Sequence, residues 1–215
     1  MPLYAGMDWT SYPKSHRQIR GAAVVAVSDL EVLASVFREA RRMSGLSKEH
    51  IFHAYTDAPQ IQLTLMQLLM QADMTLRVGA VVYDSIDNSV DGVQEIITRL
   101  TPSDLTHRIG IDLLREFLSV YPVAKLVSDS ELGGRKQETK FKKDVRMLRD
   151  LGYFPHTPEI EVSVSKKSEL IQLADLFVYN LGRSQRDALE LPAMRELIRV
   201  FRKNDRNIIR KFSEL

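Results

Sequence analysis

The stretch GAAVVAV, Gly21 to Val27, followed at once by SDLEVLASVFREA, Ser28 to Ala40, decides the fold. The first seven residues are apolar without alternation, the pattern of a strand covered on both faces. The next segment changes period: Leu30, Leu33, Phe37 and Ala40 recur at helical spacing. Ser28 and Glu31 have the spacing of a capping box, and Gly45 lies where such a helix stops. A covered strand that runs straight into an amphipathic helix is the building unit of an α/β protein.

The same alternation recurs on both sides. LYAGMDWT, residues 3–10, reads as a short strand ending at Asp8, and SYPKSHRQIR as a polar turn. IFHAY reads as a short strand or turn, and residues 60–72 as a helix. TLRVGAVVYDS gives a strand ending at Asp84. Two helices split by Pro102 follow, over about 91–100 and 103–120, and VAKLVSD is a strand running into Asp129. After the turn ELGG, a basic helix carries Phe141, Val145 and Leu148. EIEVSVS alternates as a strand, SELIQLADLFVYNLGR is a helix, and a last helix spans about Pro192 to Phe212. The order predicts an α/β domain over 1–185 and a basic helical extension over 186–215.

Composition bounds the function. With 44% hydrophobic and 27% charged residues in 215, the chain is an ordinary soluble globular protein. No apolar run approaches the roughly 18 residues of a membrane helix, and no basic region followed by an apolar core marks a leader. There is no Cys, hence no disulfide and no thiolate zinc site; a reducing, cytoplasmic setting fits. The net charge of +2 says little, but its distribution says more. Residues 135–149 hold seven Lys or Arg against Glu138 and Asp144, and 195–211 hold seven against Glu196 and Asp205. Such segments are either a phosphate footprint, with Lys140, Lys143 and Arg146 as contacts, or two solvated helix faces.

Glycine-rich phosphate loops and the nucleophile elbow of serine hydrolases are absent. His50 and His53 lack the surroundings of a zinc helix and read as turn residues. What remains is acidic. Asp8 and Asp129 close strands, and strand ends of a parallel sheet face the crevice where α/β proteins bind ligands. Taken alone, each reads first as a cap or turn residue. Asp175 is different, because it interrupts the apolar run Leu173 to Phe177 about two turns inside its helix, beyond capping distance. Ser168, Gln172, Asp175 and Tyr179 share one stripe, so the carboxylate can face a polar cleft. Carboxylates gathered from separate elements suggest a bound hard cation, Mg²⁺ or Mn²⁺. On this reading Asp175 is functional, and Asp175→Ala costs under about 1 kcal/mol of stability.

The segment SKKSELIQLADLFVYNLGR resembles the C-terminal signature of the ribonuclease-H-like domain-of-unknown-function family 3800, with its Gln-Leu-Ala-Asp-Leu box. MDWTS, GAAVVAV, IFHAY and KLVSD follow in the order of that family's opening Asp-Glu-Ser-Gly box, buried strand, Glu-x-His-Ala segment and mid-chain strand ending in Asp. The resemblance covers roughly residues 4–185. It implies a ribonuclease-H-like mixed sheet flanked by helices, and a divalent-metal-dependent nuclease with Asp8, Asp129 and Asp175 as catalytic metal ligands and nucleic acid as partner. Two positions depart from it: Trp9 stands where the opening box carries Glu, and Ile51 where the Glu of Glu-x-His-Ala falls. A further acidic ligand is then Glu131, Asp57 or Glu49, or none. The alternative is a non-catalytic nucleic-acid- or protein-binding module on the same fold.

Overall fold

The strand GAAVVAV is the centre of the molecule: Ala22 to Val27 are all inaccessible to solvent. A computed structural model describes residues 1–14, 17–84, 102–129, 135–163, 168–184 and 189–211. Among these, the strands are β1 (Leu3–Lys14), β2 (Arg17–Val27), β3 (Leu76–Asp84), β4 (Val123–Asp129), β5 (Glu159–Ser163) and β6 (Ile208–Lys211). The helices are α1 (Leu30–Met43), α2 (Pro59–Gln71), α3 (Pro102–Val120), α4 (Arg135–Asp150), α5 (Glu169–Ser184) and α6 (Pro192–Lys203).

The strands form one mixed six-stranded sheet in the order β5-β4-β1-β2-β3-β6. β1, β2 and β3 are an antiparallel meander. β4 runs parallel to β1 and β5 parallel to β4, while β6 adds in parallel to the far edge at β3. The result is an α/β architecture, a mixed sheet flanked by helices, as the alternation of strands and helices predicts.

Side-chain alternation divides the core into two layers. Leu3, Ala5, Met7 and Trp9 of β1, with Leu126 of β4, pack under α3 and α4. The opposite face, with Ala23, Val25, Val27 and Val127, lies under α1, α2, α5 and α6. His107 of α3 and Asp144 of α4 tie the first layer at 2.7 Å.

Several expectations are corrected. β1 does not end at Asp8: the β1–β2 ladder continues to Lys14↔Arg17, so the supposed polar turn is mostly paired strand and Asp8 lies mid-strand. Backbone pairing does not require apolar side chains, and Thr and Tyr suit a strand. The cap of α1 is Asp29, whose Oδ1 accepts the N–H groups of Glu31 and Val32 at 2.9 Å. Ser28 Oγ instead accepts from Thr75 N–H, joining the entrances of α1 and β3. The last helix stops at Lys203, not near Phe212, and residues 208–211 pair with β3. Asn207 drives this change: its Oδ1 accepts from Val78 N–H and its Nδ2 donates to Phe201 O. Met194, Ile198 and Phe201 bury α6 in the main core, so the described part of the 186–215 extension is continuous with it. The expected helix over 91–100, the turn ELGG and Glu131 lie outside the described residues.

Candidate functional site

Register brings two of the predicted acids together. Met7 pairs with Ser128, so the next step along these parallel strands sets Asp8 beside Asp129. Both side chains point to the α5 face, by alternation from Trp9 and from Val127. Asp8 is 0% exposed and Asp129 2%. Asp8 Oδ1 accepts the Trp9 N–H at 2.8 Å. Trp9 itself turns to the other layer, with its ring edge-to-face on Phe141 at 5.7 Å.

α5 crosses this face because two glycines let it approach. A Cβ on Gly6 would run into the Leu170 carbonyl and stand 2.7 Å from Leu170 Cβ, while one on Gly21 would be 3.2 Å from Val178 Cγ2. Gly21 pairs with Thr10, so α5 advances along β1 and drifts toward β2. Asp175 lies about 7.5 Å along the helix from Leu170. Asp8 lies about 6.6 Å along the strand from Gly6. The backbone thus carries Asp175 to the level of the Asp8–Asp129 pair.

Its carboxylate, however, is engaged elsewhere. Asp175, 6% exposed, accepts the Ala54 N–H through Oδ2 at 2.9 Å. Gln172 Oε1, one turn earlier, accepts the Phe52 N–H at 2.9 Å. Asn180 donates to Gln62 Oε1 at 2.8 Å, and Gln62 donates to the carbonyls of Ala54 and Asp57. These amides explain how the connection between α1 and α2 is buried: Phe52 and Ala54 enter the core, and their backbone groups need partners there. A polar residue in a buried helix is the sequence signal for such a partner. Gln62 and Asn180 were visible on that ground but were not singled out.

Asp175 is therefore a structural residue as well as a candidate ligand, which overturns its expected low cost. Asp175→Ala leaves the buried Ala54 N–H without an acceptor and should cost about 1–3 kcal/mol. Asp175→Asn keeps an acceptor oxygen and should unfold close to the wild type. Thermal denaturation of the two variants checks this, and equal melting of Asp175→Ala and the wild type would contradict it.

The same connection holds two histidines. His50 Nε2 meets Asp57 Oδ2 at 3.2 Å, and that oxygen also accepts the His53 N–H at 2.9 Å. His53 Nδ1 accepts the Tyr55 N–H at 3.2 Å and lies 3.5 Å from Asp175 Oδ2. Arg41 braces this region from α1: Nε donates to His50 O at 2.8 Å, the guanidinium lies over Phe52, and it approaches Glu169 to 3.8 Å. Burial raises Glu169 above the ordinary carboxylate range, against the pull of Arg41 and Arg38.

Of the alternative acidic ligands, Asp57 is occupied by His50 and the His53 N–H, and Glu49 is exposed. Among the described residues, no three His, Asp or Glu side chains stand together so as to hold a metal ion. Lys140, Lys143 and Arg146 are exposed on α4, across the sheet from the acids, because Phe141, Val145 and Leu148 turn the other side of that helix inward. A cleft of about 490 Å³, lined by Tyr121, Pro155 and His156 among others, lies at the amino-terminal ends of β1 and β4, away from Asp8 and Asp129. Among the described residues, no helix is long and apolar enough to cross a membrane.

No protein-family model matches the chain, and no curated protein does. Among solved structures, the chain is similar to the ribonuclease H2 from Pyrococcus horikoshii OT3, at 13% identity and a TM-score of 0.46, over 94% of this chain and 100% of that one. Nothing about the residues of this chain follows from a likeness of that extent.

Proposed function

We propose that this chain is a divalent-metal-dependent phosphodiesterase acting on nucleic acid, with Asp8, Asp129 and Asp175 as its acidic set. One observation carries the reading: two carboxylates are buried side by side on one sheet face, beneath the helix that bears the third. Adjacent buried carboxylates repel, and a cation or a shared proton relieves them.

The donors suit Mg²⁺ or Mn²⁺. They are hard oxygens, and Mg²⁺ is commonly held by one or two carboxylates with waters and substrate phosphates completing its shell. Asp8 and Asp129 would hold it, and Asp175 keeps acceptor capacity beyond the Ala54 N–H because a carboxylate has two oxygens. A bound ion of this kind supplies an activated water and neutralises charge at the phosphate. The chain's own part is to fix the carboxylates: β1 and β4 set two by register, and the amide network of Gln172, Gln62 and Asn180 holds α5 over them. Lys140, Lys143 and Arg146 raise the local concentration of a polyanion without reading sequence.

The test is hydrolysis of labelled RNA and DNA oligonucleotides with Mn²⁺. Cleavage should stop in EDTA and in Asp129→Asn, although that variant remains folded. Cleavage that survives both would remove the acidic set from the chemistry.

A second reading has its own support. Asp8 and Asp129 are fully covered, and Asp175 is bonded to backbone. Both features suit a non-catalytic binding module, for which oligonucleotide affinity is the same in EDTA and in Mn²⁺.

A further inference from the structure

Beside Asp175 the structure presents aromatic rings in a place where core packing does not require them. Tyr55 is 65% exposed, although it follows the buried Ala54 directly. Its ring meets Tyr179 at 6.3 Å and 84°, edge to face. Tyr179 is one helical turn beyond Asp175, and Arg183, one turn further, lies 5.5 Å over the Tyr179 ring. Arg183 is held there by Glu190 at 2.9 Å. An edge-to-face contact uses at most one face of a ring, so Tyr55 keeps a face for another planar group.

The surroundings say what kind of group. Immediately past Arg183, the end of α5 and the start of α6 enclose a small cleft of about 190 Å³. It is lined by Ser184, Leu189 and Ile198, with Arg195, Arg199 and Arg202 around it. Arg195 is fixed by the Leu189 carbonyl at 2.9 Å, and Arg199 is paired with Glu196. Along α5, the Tyr55–Tyr179 contact is thus followed by Arg183 and then by a cleft with three arginines, on the same side of the sheet as the acids. Stacking surfaces followed by a basic track are how single strands are held without sequence preference, since every base has a π-face and every nucleotide a phosphate. A double helix hides its base faces and cannot use such a surface.

We propose that Tyr55, supported by Tyr179 and Arg183, is a stacking platform for an unpaired base. The arginines of α6 would receive the following phosphates, so that the substrate of the Asp8–Asp129–Asp175 site is single-stranded nucleic acid. The inference rests on the nucleic-acid reading above and narrows it. It also gives the second basic segment a role on the acid side of the molecule, which α4 does not have.

The probe is a fluorescently labelled, unstructured pyrimidine oligomer of about twelve nucleotides, within the range one such groove accommodates, and an abasic oligomer of equal length. Anisotropy is measured at low salt in EDTA, so that binding is read without cleavage. The wild type should bind the base-bearing oligomer about tenfold tighter than the abasic one, as one good stacking contact gives. Tyr55→Leu should bring the first down to the second, and Tyr55→Phe should retain the difference. Arg199→Glu should weaken both oligomers alike. Tyr55 is exposed, so these variants should melt with the wild type; melting is recorded for each. If Tyr55→Leu matches the wild type on both oligomers, or the wild type does not distinguish them, the platform is overturned while phosphate binding stands. If the wild type binds neither oligomer, the platform and the nucleic-acid reading fall together.

Discussion

Gly6→Ala should lower the melting temperature by about 6–12 °C. The added methyl overlaps the Leu170 carbonyl and stands 2.7 Å from Leu170 Cβ. Backbone cannot rotate away as a side chain can, so either α5 lifts from β1 or β1 bends. Ala5 and Met7, both fully buried, hold the strand on the other layer, so the strain falls on α5. Overpacking of this kind costs about 3 kcal/mol, and each kcal/mol moves the melting temperature by about 2–4 °C in a chain of this size. The functional consequence is specific. Gly6 is two residues before Asp8, and the displaced helix carries Gln172 and Asp175, so cation response should fall even where the variant remains folded. A Gly6→Ala variant that melts with the wild type would mean that α5 does not sit on β1 as described.

Phe177→Ala should cost about 3–5 kcal/mol, the range for removing a large buried ring. Phe177 is fully buried and meets Phe201 of α6 edge to face, with centroids 4.7 Å apart. The contact joins α5 to α6, so the two rings should not act independently. The double variant Phe177→Ala, Phe201→Ala should lose less than the sum of the single losses, since residues in contact couple. Additive losses in urea unfolding would mean that α6 packs separately from the main core.

Much of the architecture was legible because it follows from period. GAAVVAV shows as a covered strand and VAKLVSD as a strand, and α1, α2 and α5 show from their apolar spacing. The errors share a cause. The length of β1, the Asp29 cap and strand β6 each depend on a backbone partner far away in sequence or on one local hydrogen bond, and hydrophobic period carries neither. The candidate acids were legible as residues, but their bonds were not. Asp8, Asp129 and Asp175 were found as acids in unusual places. That the first two are neighbours is a matter of β1–β4 register, and that the third serves Ala54 is a matter of how the α1–α2 connection folds over α5. Tyr55 was invisible as a candidate, because an isolated tyrosine in a turn has no pattern. Its placement against Tyr179 exists only in three dimensions.

The proposed function requires that Asp8 and Asp129 share a divalent cation. The most direct measurement is thermal unfolding of the wild type, Asp8→Asn and Asp129→Asn, each in EDTA and in millimolar Mn²⁺. A cation that binds only the folded state at a hundredfold excess over its Kd adds about 2.7 kcal/mol, or about 5–11 °C here. The wild type should show such a rise and neither variant should. In EDTA both variants should melt at or above the wild type, because each removes one of two repelling charges. A wild type that melts at one temperature in EDTA and in Mn²⁺, or a rise that persists in both variants, would contradict the claim.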